Sequence, residues 1–281
     1  DCEECGFKHL DPIPSREEIS AYYRNKYYQE TAPDLLDPKK EEREISWASL
    51  AFKDMSLIFN HYVKEKSKRL LDVGCGNGFF LQFMKRQGWE VQGIEPSLQA
   101  SKHALSLGLD VFQGSLGEFF DEKWHHYFDA INFKETMEHV SDPIEVLGLC
   151  KRLLKENGVI CIEVPNDFNS LQRQLQRQGQ KPWWIVIPEH INYFNFESLQ
   201  RLLITQGFEI LFKTTGFPME LFIFMGESYI DDKKVGQLCH QRRMNMELNL
   251  PDQLRRNIYR SLAELGIGRS CILYAQLKGD S

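Results

Sequence analysis

From Arg69 onward, short apolar runs alternate with segments whose apolar positions recur at helical spacing. The runs 69–73, 90–94, 109–112, 128–133 and 158–164 have the length and composition of buried strands. Between them, 79–87 reads as a helix stopped at Gly88, and 97–107 as a second stopped at Gly108. A third helix starts at Asp142-Pro143, an N-cap followed by proline at the first helical position. Farther on, 196–206 is a helix, 207–215 a sixth strand and 271–278 a last strand. Repeated strand–helix units predict an α/β fold, a seven-stranded and mostly parallel sheet with right-handed crossovers. The stretch 217–268 is a helical insertion that such a sheet does not require.

Residues 1–66 are patterned differently. They open on Cys2-Glu3-Glu4-Cys5-Gly6 and pass through Pro12 and Pro14. A helix then starts at Ser15, with Glu17 and Glu18 complementing its free N–H groups. Pro33 and Pro38 mark 33–39 as a loop. A second helix over about 42–64 carries Ile45, Leu50, Phe52, Met55, Ile58, Phe59 and Tyr62 at near-helical spacing. The expected division is an N-terminal appendage, 1–66, and a main domain, 67–281.

Composition narrows the function. With 281 residues, 42% hydrophobic and 26% charged, the chain can bury one substantial core and a modest appendage. No apolar run approaches the ~18 residues of a membrane span, and the opening residues are acidic and polar, unlike a signal peptide. A cytoplasmic location is expected. A net charge of −6 argues against nucleic acid as a partner. The 7 cysteines are an odd count, several within apolar runs, which argues against a disulfide framework. Cys2 and Cys5 make a single C-x-x-C knuckle, whereas a structural zinc takes four ligands. No bound metal is expected.

The segment Leu70-Leu71-Asp72-Val73-Gly74-Cys75-Gly76-Asn77-Gly78-Phe79 carries the chemistry. A buried strand enters a glycine-rich turn and a helix leaves it, the arrangement that lets backbone approach a nucleotide. A dinucleotide site uses G-x-G-x-x-G; here the run is G-x-G-x-G, and bulky Phe79 follows. Asp72 would repel a pyrophosphate and tolerate a cationic sulfonium. Glu95 ends the second strand ~20 residues farther on, where an acid accepts hydrogen bonds from both ribose hydroxyls of an adenosine.

Together these residues resemble the class I S-adenosylmethionine-dependent methyltransferases, and the resemblance covers about 69–215 and the last strand. The series continues with Gly114-Ser115-Leu116, then Phe128–Phe133 followed by Glu138-His139-Val140-Ser141-Asp142-Pro143, then Leu153-Leu154-Lys155-Glu156-Asn157-Gly158. The resemblance implies a Rossmann-like sheet whose last strand lies antiparallel between strands five and six. It implies a cofactor site made by Asp72, Gly74, Cys75, Gly76, Gly78, Glu95, Pro96, Ser115, Leu116, Lys134 and Tyr28. Ser115 stands where the family usually has Asp, near the adenine. The implied cofactor is S-adenosylmethionine, with S-adenosylhomocysteine as product.

On the acceptor side, Trp183 and Trp184 precede Glu189-His190 in the loop after the fifth strand. Paired tryptophans beside an acid–histidine pair suggest an apolar wall next to a titratable group. This stretch resembles the deoxysugar C-methyltransferases, where the histidine is the proposed base, and the ubiquinone-type O-methyltransferases. His190, assisted by Glu189, is the candidate base, and His139 is its rival. Tyr22, Tyr23, Tyr27 and Tyr28 read either as a lid, with Tyr23 and Tyr27 toward the acceptor, or as simple packing. The deoxysugar branch carries an N-terminal zinc module with two C-x-x-C pairs; one is present here.

Lys233, Lys234, Arg242, Arg243, Arg255, Arg256 and Arg260 make the insertion basic, either as a solvated face or as a site for an anionic handle on the acceptor. The expected partner is a small molecule, a sugar or another cell-surface or secondary-metabolite precursor, methylated at carbon or oxygen. The competing readings are a nicotinamide-dependent oxidoreductase and a catalytically silent adenosine-binding scaffold. Nothing in the sequence sets an oligomeric state.

Overall fold

A computed structural model describes residues 2–25, Glu4 excepted, and 42–278. The chain opens with a two-residue strand β1 (Lys8–His9), helix α1 (Arg16–Asn25) and helix α2 (Glu42–Tyr62). The repeating part follows as β2 (Arg69–Val73), α3 (Phe79–Arg86), β3 (Glu90–Glu95), α4 (Leu98–Ser106), β4 (Asp110–Gln113), α5 (Leu116–Phe119), β5 (Phe128–Lys134), α6 (Pro143–Leu153) and β6 (Leu154–Pro165). Then come α7 (Ser170–Arg177), β7 (Asn192–Tyr193), α8 (Phe196–Thr205) and β8 (Phe208–Thr214). The insertion supplies α9 (Glu220–Phe224), α10 (Lys233–Asn249) and α11 (Asp252–Glu264) before β9 (Ser270–Leu277).

The main sheet has seven strands in the order β4-β3-β2-β5-β6-β9-β8. The pairs from β4 to β6 are parallel, and β9 runs antiparallel to both β6 and β8. This is the α/β topology expected, with the last strand where the resemblance put it. Helices α2, α3 and α4 cover one face, where Met55, Phe59 and Val63 meet Phe80, Leu81, Trp89 and Tyr274. On the other face Leu147, Cys150 and Leu153 of α6 and Leu199, Leu202 and Leu203 of α8 pack on Ile131, Phe133, Ile160 and Ile162. The core therefore reaches into the segment that the sequence assigned to an appendage. Among the described residues, no helix is long and apolar enough to cross a membrane.

Three features escape the sequence pattern. The β1–β7 ribbon, pairing Lys8 with Tyr193 and His9 with Asn192, is too short to show a period. Helix α7 is polar apart from Leu171 and Leu175, and is anchored by Asn169, whose side chain accepts from Leu171 and Gln172 N–H. Helix α5 is one turn, held by a Ser115–Glu118 capping box.

The insertion is tied to α2 by a buried ionic group. Glu247, only 6% exposed, accepts hydrogen bonds from Trp47 Nε1 and Tyr259 OH and pairs with Arg243 at 3.3 Å. Arg255 meets Asp54 of α2 in the same interface between α2 and the insertion. Removing one partner of a buried pair leaves the other charge uncompensated, which costs about 3 kcal/mol or more. Glu247→Ala should lower stability by that amount in chemical denaturation. A change within about 0.5 kcal/mol, as for a surface site, would show that the group does not clamp the two segments.

Candidate functional site

The strand order reverses between β2 and β5, so a crevice opens at their carboxyl ends. The turn after β2 forms its floor. Gly74 and Cys75 both donate backbone N–H to Ile94 O, at 2.8 and 3.0 Å, which fixes the turn against β3. Gly74 is left-handed, φ 75°, and a Cβ there would collide with Thr136, whose hydroxyl bonds Val73 O at 3.2 Å. Gly78 caps α3 with φ 80°, and its Cβ would come within 2.6 Å of Leu109 and 2.8 Å of Ala104. Gly78 thus performs the helix-packing job that a dinucleotide fingerprint gives to a glycine one position later.

Two buried acids face this turn. Glu95 is 4% exposed; its Oε2 accepts Gly76 N–H and its Oε1 accepts Ser97 N–H, both at 2.8 Å. Burial lifts its carboxyl to about 7, against the two backbone hydrogen bonds, with nearby Asp72 adding to the rise. Burial likewise lifts Asp72 to about 6, offset by Asn132 Nδ2, which donates to Asp72 Oδ1 at 2.7 Å, and by the Lys134 charge. Lys134 itself pairs with Glu163 at 2.6 Å.

The remaining predicted cofactor residues are placed as follows. The Cys75 side chain turns into the core beside Gly93, and burial raises its thiol. Pro96 is half-buried before Ser97, the N-cap of α4. The Ser115 hydroxyl is engaged in its cap, accepting Glu118 N–H and donating to Glu118 Oε2, while the Leu116 side chain lies in the core. Tyr27 and Tyr28 lie outside the described residues.

Beyond β5, a 3-10 turn over Met137–His139 meets the loop carrying Glu189 and His190. Ile191 N–H donates to Glu138 O at 2.8 Å, and Asn192 Nδ2 to Met137 O and Val140 O at 3.1 and 2.7 Å. His139 Nδ1 bonds Glu189 O at 2.7 Å, so it carries the proton and leaves Nε2 as the basic nitrogen, 3.7 Å from Glu138 Oε1. Burial holds His139 down to about 4, against that hydrogen bond. The His190 ring lies 5.1 Å away, its buried Nδ1 has no hydrogen-bond partner among the described residues, and burial lowers its pKa against the pull of Glu189. Both imidazoles are therefore neutral at pH 7.

Helix α1 closes over this loop. Tyr22 OH donates to Glu189 Oε1 at 3.3 Å, Tyr23 OH to Glu189 O at 3.5 Å, and the Tyr23 ring lies 5.2 Å from His139. Trp184 is buried, with half-buried Trp183 edge-on to it at 5.0 Å. Sequence reasoning missed three buried residues here, Glu138, Asn192 and Asp167. Glu138 had a signal, its place in the stretch after β5; the other two had none.

Two groups of described side chains could share a cation, with ligand atoms within 4.8 Å of one another: Cys2, Cys5 and His9, and Glu138, His139 and His190. The basic residues of the insertion are mostly neutralised locally. Arg242 pairs with Glu227, Arg243 with Glu247, Arg255 and Arg256 with Asp54, and Arg260 stacks over Phe212.

Comparison with known proteins agrees with this geometry. A methyltransferase-domain family model matches residues 46–212. The ubiquinone biosynthesis O-methyltransferase of Pasteurella multocida (strain Pm70) is 39% identical over 138 residues, 43% of this chain. That match spans 51% of the relative's own length. A SAM-dependent methyltransferase from Archaeoglobus fulgidus shares the fold at a TM-score of 0.53 and 22% identity, over 84% of this chain and 95% of that one. The plantazolicin methyltransferase BpumL, solved in complex with SAH, does so at 0.53 and 16%, over 93% and 94%. With its family match running from α2 through β8 and its glycine turn at the switch point of the sheet, the chain belongs to the methyltransferase domain family.

Proposed function

We propose that this chain transfers the methyl group of S-adenosylmethionine to a small-molecule acceptor. The observation that carries the reading is the Glu95 carboxylate, buried at the end of β3 and bonded to the backbone of the turn after β2 and of the turn after β3. Each oxygen has accepted one N–H, and a carboxylate has lone pairs for about four donors. The two ribose hydroxyls of an adenosine fit that remaining capacity. Asp72 favours a cationic group over a pyrophosphate beside Gly74, which speaks against a nicotinamide dinucleotide.

The bound cofactor supplies an electrophilic methyl carbon on a positively charged sulfur. The protein has to aim a nucleophile in line with the S–CH₃ bond and remove its proton. As the new bond to the methyl carbon forms, the S–CH₃ pair returns to sulfur, leaving S-adenosylhomocysteine. His190, neutral and with an unpartnered nitrogen, takes the acceptor proton. His139 braces the loop through Glu189 O, and Glu189 biases the His190 charge while receiving Tyr22. The tyrosines of α1 serve as a lid on residues 1–66, over the main domain 67–281. Trp183 and Trp184 form the acceptor wall.

The acceptor is a sugar or a comparable small precursor, methylated at carbon or oxygen. The curated relative's name supports an oxygen acceptor.

Three outcomes test this reading. Glu95→Ala removes hydrogen bonds to a charged acceptor worth about 1.5–3 kcal/mol each. Calorimetry should show S-adenosylhomocysteine binding weakened by at least ~100-fold, and unchanged affinity would sink the site. The ribose hydroxyls need an ionised Glu95, whose free carboxyl sits near 7. Binding must therefore expel a proton at neutral pH, and affinity should fall as pH drops through 7 toward 6. Heats measured in buffers of different ionisation enthalpy would expose a binding reaction that releases no proton. Finally, His190→Ala should lower turnover by roughly 10²–10⁴ with cofactor affinity intact. Activity lost in His139→Ala and retained in His190→Ala would reverse the two roles.

A further inference from the structure

The turn at Met137–His139 buries a carboxyl group that the proposed chemistry leaves unused. Glu138 is 1% exposed, and neither of its side-chain oxygens has a hydrogen-bond partner among the described residues. A buried polar atom left unbonded costs more than a hydrogen bond returns, so two on one side chain call for partners close at hand. His190 presents the complementary atom. Its Nδ1 is buried and unbonded among the described residues, whereas its Nε2 is not sealed off in the same way. A ring nitrogen of His190, a ring nitrogen of His139 and a carboxyl oxygen of Glu138 all lie within 4.8 Å of one another.

The surrounding bonds set the direction of each hydrogen. His139 Nδ1 is committed to Glu189 O at 2.7 Å, so the lone pair on Nε2 faces Glu138 Oε1, 3.7 Å away. A lone pair needs a donor, and a carboxyl group is a donor only when protonated. Burial, the charge of Glu135 and, more weakly, that of Asp167 hold the Glu138 proton well above the usual carboxylate range. A protonated carboxyl then has one oxygen that donates and another that accepts. Glu189, the acid beside His190 in sequence, is engaged elsewhere. Its Oε1 receives Tyr22 OH, and its backbone oxygen receives His139 and Tyr23.

Resting on the methyl-transfer reading, we propose that Glu138 is the positioning residue of the base. Its carboxyl donates to His139 Nε2 and accepts the Nδ1–H of His190, which leaves His190 Nε2 as the nitrogen that takes the acceptor's proton. Bonds of this kind run long in the ligand-free state and shorten in the loaded complex. A neutral imidazole carries one hydrogen, and with that hydrogen on Nε2 it has no lone pair to turn toward an acceptor. The bond to Nδ1 decides between the two forms. In the transfer step the acceptor's bond to hydrogen breaks, and its electron pair attacks the methyl carbon. The proton joins His190 Nε2, while Glu138 keeps its own. The base loop and the turn after β5 are then joined by side chains as well as by the backbone bond from Ile191 N–H to Glu138 O.

The test is a long-range proton–nitrogen correlation spectrum of protein carrying isotope-labelled histidine, at neutral pH and after EDTA treatment. Such a spectrum separates protonated from unprotonated ring nitrogens, and the His190 signals are assigned by their loss in His190→Ala. Wild-type His190 should carry its hydrogen on Nδ1, against the Nε2–H form that free histidine prefers in water. Glu138→Gln keeps one donor and one acceptor in place and should retain the pattern, as should Glu189→Gln. Glu138→Leu, of similar size but without either, should shift His190 to the Nε2–H form, with S-adenosylhomocysteine affinity unchanged in calorimetry. An Nε2–H pattern in the wild type, or an Nδ1–H pattern that survives in Glu138→Leu, would overturn the assignment. So would loss of the Nδ1–H pattern on EDTA treatment, which would give the three side chains to a metal ion. The spectrum requires neither cofactor nor acceptor. An Nδ1–H pattern in a protein that fails to bind S-adenosylhomocysteine would therefore support the pairing and remove the methyl-transfer reading alone.

Discussion

The Glu95 carboxylate holds the site together. It closes the turn after β2 through Gly76 N–H and the start of α4 through Ser97 N–H. Because it is buried, its ionised form is disfavoured until something supplies further hydrogen bonds. The same group therefore organises the turn and retains lone pairs beyond those two bonds. Around it, Gly74 lets the β5 loop approach through Thr136, and Gly78 lets α3 and α4 pack closely. These contacts place the carboxyl ends of β2, β3 and β5 around a single space.

The other half of the site hangs on the turn at Met137–His139. Asn192, Ile191 and Glu189 are all bonded to it through backbone oxygens or His139 Nδ1. The loop carrying His190 is thus attached to the turn after β5, although 50 residues of sequence separate His139 from Glu189. The β1–β7 ribbon braces the same loop from the N-terminal segment. These attachments hold His190 beside His139, with ring centroids 5.1 Å apart.

How much of this was legible depended on the kind of signal. The seven strands were legible as short apolar runs, and most of their ends fall within a residue or two of the observed ones; β6 is the exception, starting at Leu154 rather than 158 because Leu154 already pairs with Phe128 across a register shift. Glu95 was legible because its distance from the glycine turn is set by the length of one strand–helix unit. Ser115 was read by its place in a motif, whereas its hydroxyl is used to cap α5. Motif position cannot show which of two hydrogen-bonding duties a side chain performs. Glu138, Asp167 and Asn192 lie in a 3-10 turn, a loop and the two-residue β7, segments too short for burial to leave a period. The pairing of Arg255 and Arg256 with Asp54 left no sequence signal either, since about 200 residues separate them, whereas the Arg243–Glu247 pair is a one-turn spacing on α10.

The central claim is that the crevice was built for an adenosine bearing a sulfonium rather than for a dinucleotide. Isothermal titration of the wild-type protein with S-adenosylhomocysteine and, separately, with NADH tests it directly. S-adenosylhomocysteine should bind saturably at a single site, and NADH should give no binding heat. Saturable NADH binding with none for S-adenosylhomocysteine would contradict it.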